Sequence, residues 1–232
     1  MPRRPAFVGE FIYHAFNRAA TRMRLFDTAR DYIAVQELLL EVREAIGMRL
    51  LAFCIMPNHW HLILWPRSSI EMSQFLQSFT GTHAQRWRAA HSSIGCGAVY
   101  QGRYKAFPIQ TGTYFLNACR YVERNPLRAR LVPRAEDWRW SSCWLREHEP
   151  TNGVLEEWPV ARPSDWVSIL NASEEPQELE NVRTALVRGR PLGDETWVFK
   201  TAKIIGTDSH LRRPGRPRKV CLVENPSRPL FT

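Results

Sequence analysis

Two short stretches hold side chains whose types and spacing can do chemistry. In "MPNHWHLILWP" (Met56 to Pro66) two histidines flank one tryptophan, and in "CRYVERNPLRARLV" (Cys119 to Val132) a tyrosine stands four residues before an asparagine. In a strand, His59 and His61 project to one face, about 6.6–7 Å apart along the chain, and Trp60 and Leu62 to the other. On a helix, Tyr121 and Asn125 share a face. Imidazole nitrogens ligate divalent transition metals and accept Mg²⁺ or Mn²⁺ when oxygen donors complete the shell, and an amide oxygen is such a donor. A tyrosine beside that ion can attack a phosphodiester, with the metal polarising the phosphate. Plainer readings stand beside these. The histidines can be hydrogen-bonded polar groups, Tyr121 can pack in a core, and Asn125 can cap a helix ahead of Pro126.

The surrounding pattern predicts the elements that position these residues. "FVGEFIYHAFNRA" (Phe7 to Ala19) is aromatic and β-branched, as a first strand would be. Asp31 to Ile46 places Ile33, Leu38, Leu39, Val42 and Ile46 at helical spacing, with Gly47 as C-cap. "MRLLAFCI", the Pro57-Asn58 turn and "HWHLILW" predict an antiparallel pair. Ile70 to Ala90 reads as a second helix with Met72, Phe75, Leu76, Phe79 and Ala84 inward. "YQGRYKAFPI" supplies further strand, and Thr111 or Thr113 can cap a third helix over Tyr114 to Asn125 that ends before Pro126. Tyr114, two turns before Tyr121, has no ligand-type neighbour and is read as packing. The order β-α-β-β-α-β-α predicts an α+β fold, a ferredoxin-like antiparallel sheet covered by helices.

The chain has 232 residues and a formal net charge of +9, with arginine well ahead of lysine. A balance this basic points to a polyanion. The arginine fork grips phosphate oxygens in pairs. The five cysteines are scattered and form no C-x-x-C pair, so neither a thiolate zinc site nor a disulfide framework is indicated. No signal-peptide core, no run of about 18 apolar residues and no Gly-rich nucleotide loop is found. The expectation is a cytoplasmic, nucleoid-associated protein without a membrane partner. Composition shifts near residue 148 towards Pro, Glu and Ser. This divides the chain into a domain over 1–147 and an extension over 148–232, helical in part and ending in a basic tail with no core-forming pattern.

At "YHAFNR", "PNHWH", "YQGRYK" and "RYVERNPLRA", spread over residues 3–147, the sequence resembles the REP-associated tyrosine transposases. These are single-tyrosine transposases of the His-hydrophobic-His class. The resemblance implies that His59, His61 and Asn125 hold Mg²⁺ or Mn²⁺ and that Tyr121 is the nucleophile. It implies cleavage of single-stranded or hairpin DNA of the repetitive-palindrome type, through a 5′-phosphotyrosine that leaves a free 3′-OH. His14 lies in a family-like segment and is read as structural.

Arg103, Lys105, Arg120, Arg124 and Arg128 are the basic residues nearest these motifs and candidates to hold the DNA, alongside Arg86, Arg88 and Arg130. Trp87 or Tyr104 can stack on an unpaired base. In the tail, "RRPGRPRK" resembles an AT-hook, whose Gly-Arg-Pro core lies in the minor groove of A·T-rich duplex DNA, and puts Arg216 and Arg218 at that groove. The competing reading is a non-catalytic nucleic-acid-binding regulator on the same scaffold. A replication initiator or relaxase fits less well. Monomer and homodimer both remain open.

Overall fold

The computed structural model describes residues 7–211 apart from Ser93, Ile94, Cys96 and Asn152. The AT-hook-like segment, with Arg216 and Arg218, lies outside the described residues. Four strands form one antiparallel sheet in the order β2-β3-β1-β4, with β1 at Ile12–Arg18, β2 at Arg49–Met56, β3 at His59–Trp65 and β4 at Lys105–Ile109. Read from the other edge, this is 4-1-3-2, the ferredoxin-like order that β-α-β-β-α-β connectivity predicts. The first strand is shorter than the aromatic run implied and begins at Ile12. β2 and β3 are joined by the tight Pro57-Asn58 turn, and β3 pairs with β1 from Tyr13↔Leu64 through Arg18↔His59.

Alternation divides the sheet's two faces. Tyr13, Ala15, Phe53, Ile55, Trp60, Leu62 and Leu64 enter one core, beneath α1 (Ala29–Ile46) and α2 (Ser69–Ala90). Thr28 caps α1 reciprocally with Asp31, and Gly47 ends it with φ 76°, a left-handed conformation that glycine reaches without Cβ strain. Inward positions on α1 are Tyr32, Val35, Leu38, Leu39 and Val42. Ile33, expected to face the core, is 40 % exposed, because the buried stripe runs one position earlier, through Tyr32. On this face the Trp60 indole donates to the Tyr100 hydroxyl (3.0 Å), which sits 2.6 Å from His83 Nδ1, so the buried polar groups of the core satisfy one another.

Ile12, Ala52, Cys54, Met56, Ile63, Phe107 and Ile109 belong to the opposite core, which is closed by α3 (Thr113–Glu123). Neither threonine caps α3. Its N-cap is Gly112 at φ 80°, ψ −138°, without a side-chain bond. The helix also stops earlier than expected. Pro126 has no N–H to offer the Val122 carbonyl, which takes the Arg124 N–H instead, and a separate turn, α4 (Asn125–Arg128), follows with proline in its first turn. After α5 (Ser142–His148), the chain meets the β2 edge at residues 156–158, where Glu156 N–H donates to Leu50 O and the Trp158 indole to Leu51 O. Then α6 (Trp166–Asn171) and α7 (Pro176–Arg188) add Trp166, Leu170, Val182, Ala185 and Leu186 to the α3-side core, and α8 (Glu195–Ile205) follows. Among the described residues no helix is long and apolar enough to cross a membrane.

Candidate active site on the face of β3

The cross-strand register builds the site in rows on the face beneath α3. Phe16 opposes His61 on one side and Lys105 on the other, and Arg18 opposes His59. Directly paired residues share a face, so the two histidines, Phe16, Arg18 and Lys105 project together. Phe16 stacks on His61 at 5.8 Å between ring centroids, and the Lys105 ammonium lies 5.9 Å from the Phe16 ring. Trp60 and Leu62 enter the other core, as alternation predicts.

His59 and His61 stand edge to face with ring centroids 5.0 Å apart. Each has Nδ1 engaged, His59 with Asn58 Oδ1 at 2.6 Å and His61 with His14 Nε2 at 2.8 Å. Nε2 is the nitrogen each leaves for another partner. Burial pushes His59 down to about 3, with Arg18 adding to the effect, and pushes His61 well below the ordinary histidine value. Both are therefore neutral at pH 7, the state in which an imidazole has a lone pair to give. His14 is fully buried and is pushed down to about 3 for the same reason.

From α3 the Tyr121 ring meets His61 edge to face at 5.8 Å and lies 6.1 Å from His14. No described residue hydrogen-bonds its hydroxyl. Asn125, at the start of α4, is buried, and its amide nitrogen has no hydrogen-bond partner. A buried amide left unmatched is costly, and which of its two atoms is oxygen is assigned rather than observed. The donor set thus fits a divalent ion: two neutral imidazoles with oriented second nitrogens, and one amide with nothing else to bind. Among the described residues no three His, Cys, Asp or Glu side chains gather as a metal site.

The basic residues divide into two groups. Arg18, Arg103 and Lys105 are exposed, and the first and last belong to the histidine rows. Arg120, Arg124 and Arg128 instead turn towards the extension. Arg120 donates to Ala172 O (3.2 Å) and Ser173 O (2.9 Å), Arg124 reaches Leu170 O and Glu174 (3.1 Å), and Arg128 reaches Glu174 (3.3 Å). Arg128 also lies over the Tyr121 ring, with its guanidinium carbon 4.2 Å from the centroid. Trp87 donates to Leu25 O and stacks on His91, and Tyr104 stacks on Phe7. The sequence reading left out His14 as a partner of the site, as well as Arg18 and Glu174. Alternation with Phe16 marks His14 and Arg18 as one face, but only the β1–β3 register brings that face to the histidines.

A protein-family model described as "Transposase IS200 like" matches residues 7–125. No curated protein matches the chain. Similar solved structures include the following two. One is a REP-associated tyrosine transposase bound to a REP hairpin, 18% identical over 71% of this chain and 94% of that one, with a TM-score of 0.48. The other is a putative transposase from Deinococcus radiodurans, 18% identical over 56% of this chain and 95% of that one, with a TM-score of 0.38. The family match runs through β1, the two-histidine strand and α3 to Asn125, over half of the sequence, and on it the chain belongs to the IS200-like transposases, enzymes that cleave and rejoin DNA.

Proposed function

We propose that this transposase is a metal-dependent single-strand endonuclease and strand transferase that acts on hairpin DNA through a 5′-phosphotyrosine at Tyr121. The observation that carries the reading is the approach of the Tyr121 ring to His61 across the sheet–helix interface, at 5.8 Å. A tyrosine that merely filled the core would not need a neutral histidine pair on the facing strand.

His59 and His61, through Nε2, and Asn125, through its amide oxygen, would hold Mg²⁺ or Mn²⁺. When bound, such an ion withdraws charge from a phosphate oxygen and favours attack at phosphorus. The rest falls to the chain. The Tyr121 oxygen attacks the scissile phosphorus and gives up its proton to solvent. The bond from phosphorus to the 3′ oxygen breaks, and that oxygen takes a proton to leave as a 3′-OH. One phosphodiester is exchanged for another, so neither ATP nor net hydrolysis is needed. Attack by a 3′-OH on the phosphotyrosine reverses the step and returns the proton to Tyr121. Arg18, Arg103 and Lys105, exposed near the histidine rows, steer and hold the strand. The hairpin preference rests on the sequence resemblance. Duplex binding by Arg216 and Arg218 is a proposal of the same origin.

A covalent-adduct assay tests the reading. The full chain is incubated with labelled single-stranded hairpins and Mn²⁺ or Mg²⁺ and run on a denaturing gel. A band shifted by the mass of the protein is expected, lost with EDTA and lost in Tyr121→Phe. A folded protein that binds the hairpins and forms no adduct with any of them would be a regulator, not a strand transferase. An adduct that survives in Tyr121→Phe would move the nucleophile elsewhere, with Tyr114 the next to test.

A further inference from the structure

We infer that Glu174, outside the residues that match the family, is a positioning residue for Tyr121 and acts through Arg128. The inference rests on the reading of Tyr121 as the nucleophile. The Arg128 guanidinium lies over the Tyr121 ring at 4.2 Å, and its terminal nitrogens donate to the Tyr121 carbonyl at 2.9 and 3.3 Å. One arginine thus holds both the ring and the backbone of the same residue. It reaches back to Tyr121 from α4, the turn created where Pro126 ends α3.

Arg128 is itself held from the other side. Glu174 Oε2 lies 3.3 Å from Arg128 Nε and 3.1 Å from Arg124 Nε. These side chains are only 12 % (Glu174), 14 % (Arg124) and 18 % (Arg128) exposed, so the pairing is shielded from the solvent screening that weakens surface ion pairs. The backbone before the carboxylate is itself held by hydrogen bonds. Arg120 holds Ala172 O and Ser173 O, and Arg124 holds Leu170 O. Asn171 is tied to the rest of the chain by the Ala135 N–H and by Glu136. The α6–α7 turn is thus tied down at Leu170, Asn171, Ala172 and Ser173, just ahead of the Glu174 carboxylate that faces Arg128.

A tyrosine on a partly exposed helix face can leave its rotamer, and a nucleophile out of place by about 1 Å loses much of its rate. A planar cation over the ring restrains it without covering the hydroxyl. Removing the carboxylate leaves Arg128 and Arg124 as adjacent like charges, and Arg128 is then driven off the ring. The same carboxylate keeps Arg128 turned away from DNA, so the basic residue closest to the nucleophile positions it and does not bind phosphate.

The test uses the full chain with ¹³C-labelled tyrosine. Of six tyrosine ring signals, Tyr121 is assigned by its loss in Tyr121→Phe. Glu174→Gln and, independently, Arg128→Lys are expected to move or broaden the Tyr121 signal and leave the other five in place. Adduct formation at saturating hairpin is expected to slow about tenfold, the order of one lost cation–ring contact, with hairpin affinity unchanged. Glu174→Asp, which keeps the charge, should restore part of the rate. An unmoved Tyr121 signal in both variants would overturn the inference, as would weakened hairpin affinity with an unmoved ring, which would make Arg128 a DNA ligand. Should the wild type form no adduct, the catalytic reading fails, and the ring signals still decide whether Glu174 fixes Tyr121.

Discussion

At the scale of single residues, the site depends on which nitrogen of each imidazole holds the proton. His61 can present Nε2 as a lone pair only if Nδ1 carries its hydrogen, and His14 Nε2, 2.8 Å away, is the acceptor that sets this tautomer. His14 then has its own proton on Nδ1, a buried atom without a partner. The arrangement accepts one unmatched donor to orient another ring. Replacing His14 by phenylalanine preserves the bulk beside Phe107, whose ring is 5.1 Å away, and removes the acceptor. The affinity of the DNA-free protein for Mn²⁺ is expected to fall roughly 10–100-fold, as for other outer partners of metal-binding histidines, measured by titration calorimetry. Unchanged affinity would mean that His61 orients itself without this neighbour.

At the scale of elements, the entry to α3 decides where Tyr121 stands. Gly112 carries φ 80° and ψ −138°, a region open almost only to glycine, and a Cβ there would meet nothing within 4 Å. The strain of a substitution is therefore purely in the backbone. Gly112→Ala is expected to destabilise the fold by about 1–3 kcal/mol, seen as a lower urea midpoint. An unchanged midpoint would show that the turn relaxes freely. Period and turn chemistry made the α+β class, each strand and the two long helices legible in the sequence. Gly47 and the His59/His61 alternation are local signals and needed no tertiary knowledge, whereas the Thr28 cap of α1 went unread. The α3 boundaries were read less well, since Thr111 and Thr113 look like caps until the backbone of Gly112 is seen. The roles of Arg120, Arg124 and Arg128 were out of reach for a different reason. Arginines beside a proposed nucleophile fit DNA binding, and the carboxylate that holds Arg128 comes 46 positions later, in a segment whose packing no periodicity reveals.

At the scale of the molecule, burial of neutral histidines ties stability to pH. The folded chain pushes His83 down to about 4, and His14 and His59 to about 3, mainly by burial. The unfolded chain, near the ordinary 6.5, takes up more protons as pH falls from neutrality towards 4, so stability declines on that side. Each such histidine contributes a slope of roughly 1 kcal/mol per pH unit between those limits. Glu123 opposes this: burial raises it, so its contribution is present at low pH and is lost as pH rises through its folded value. It is one group against several. The urea midpoint of the metal-free protein is expected to be lower at pH 5 than at pH 7, and a higher midpoint at pH 5 would contradict these assignments.

The chain that follows the family match also closes the flanks of the sheet. On the β4 side Leu192 bridges in parallel to Ile109, donating to Pro108 O at 2.9 Å and accepting from Gln110 N–H at 2.8 Å. On the β2 side Ile55 N–H donates to Trp140 O, and Phe53 N–H donates to Ser142. Edge strands with free backbone groups are templates for uncontrolled association, and here both are partly covered from within. A second copy that continued the sheet at these positions would first have to displace these bonds. A shortened chain that ended at the close of the family match would lose this cover along both borders and become a candidate for fibrous aggregation.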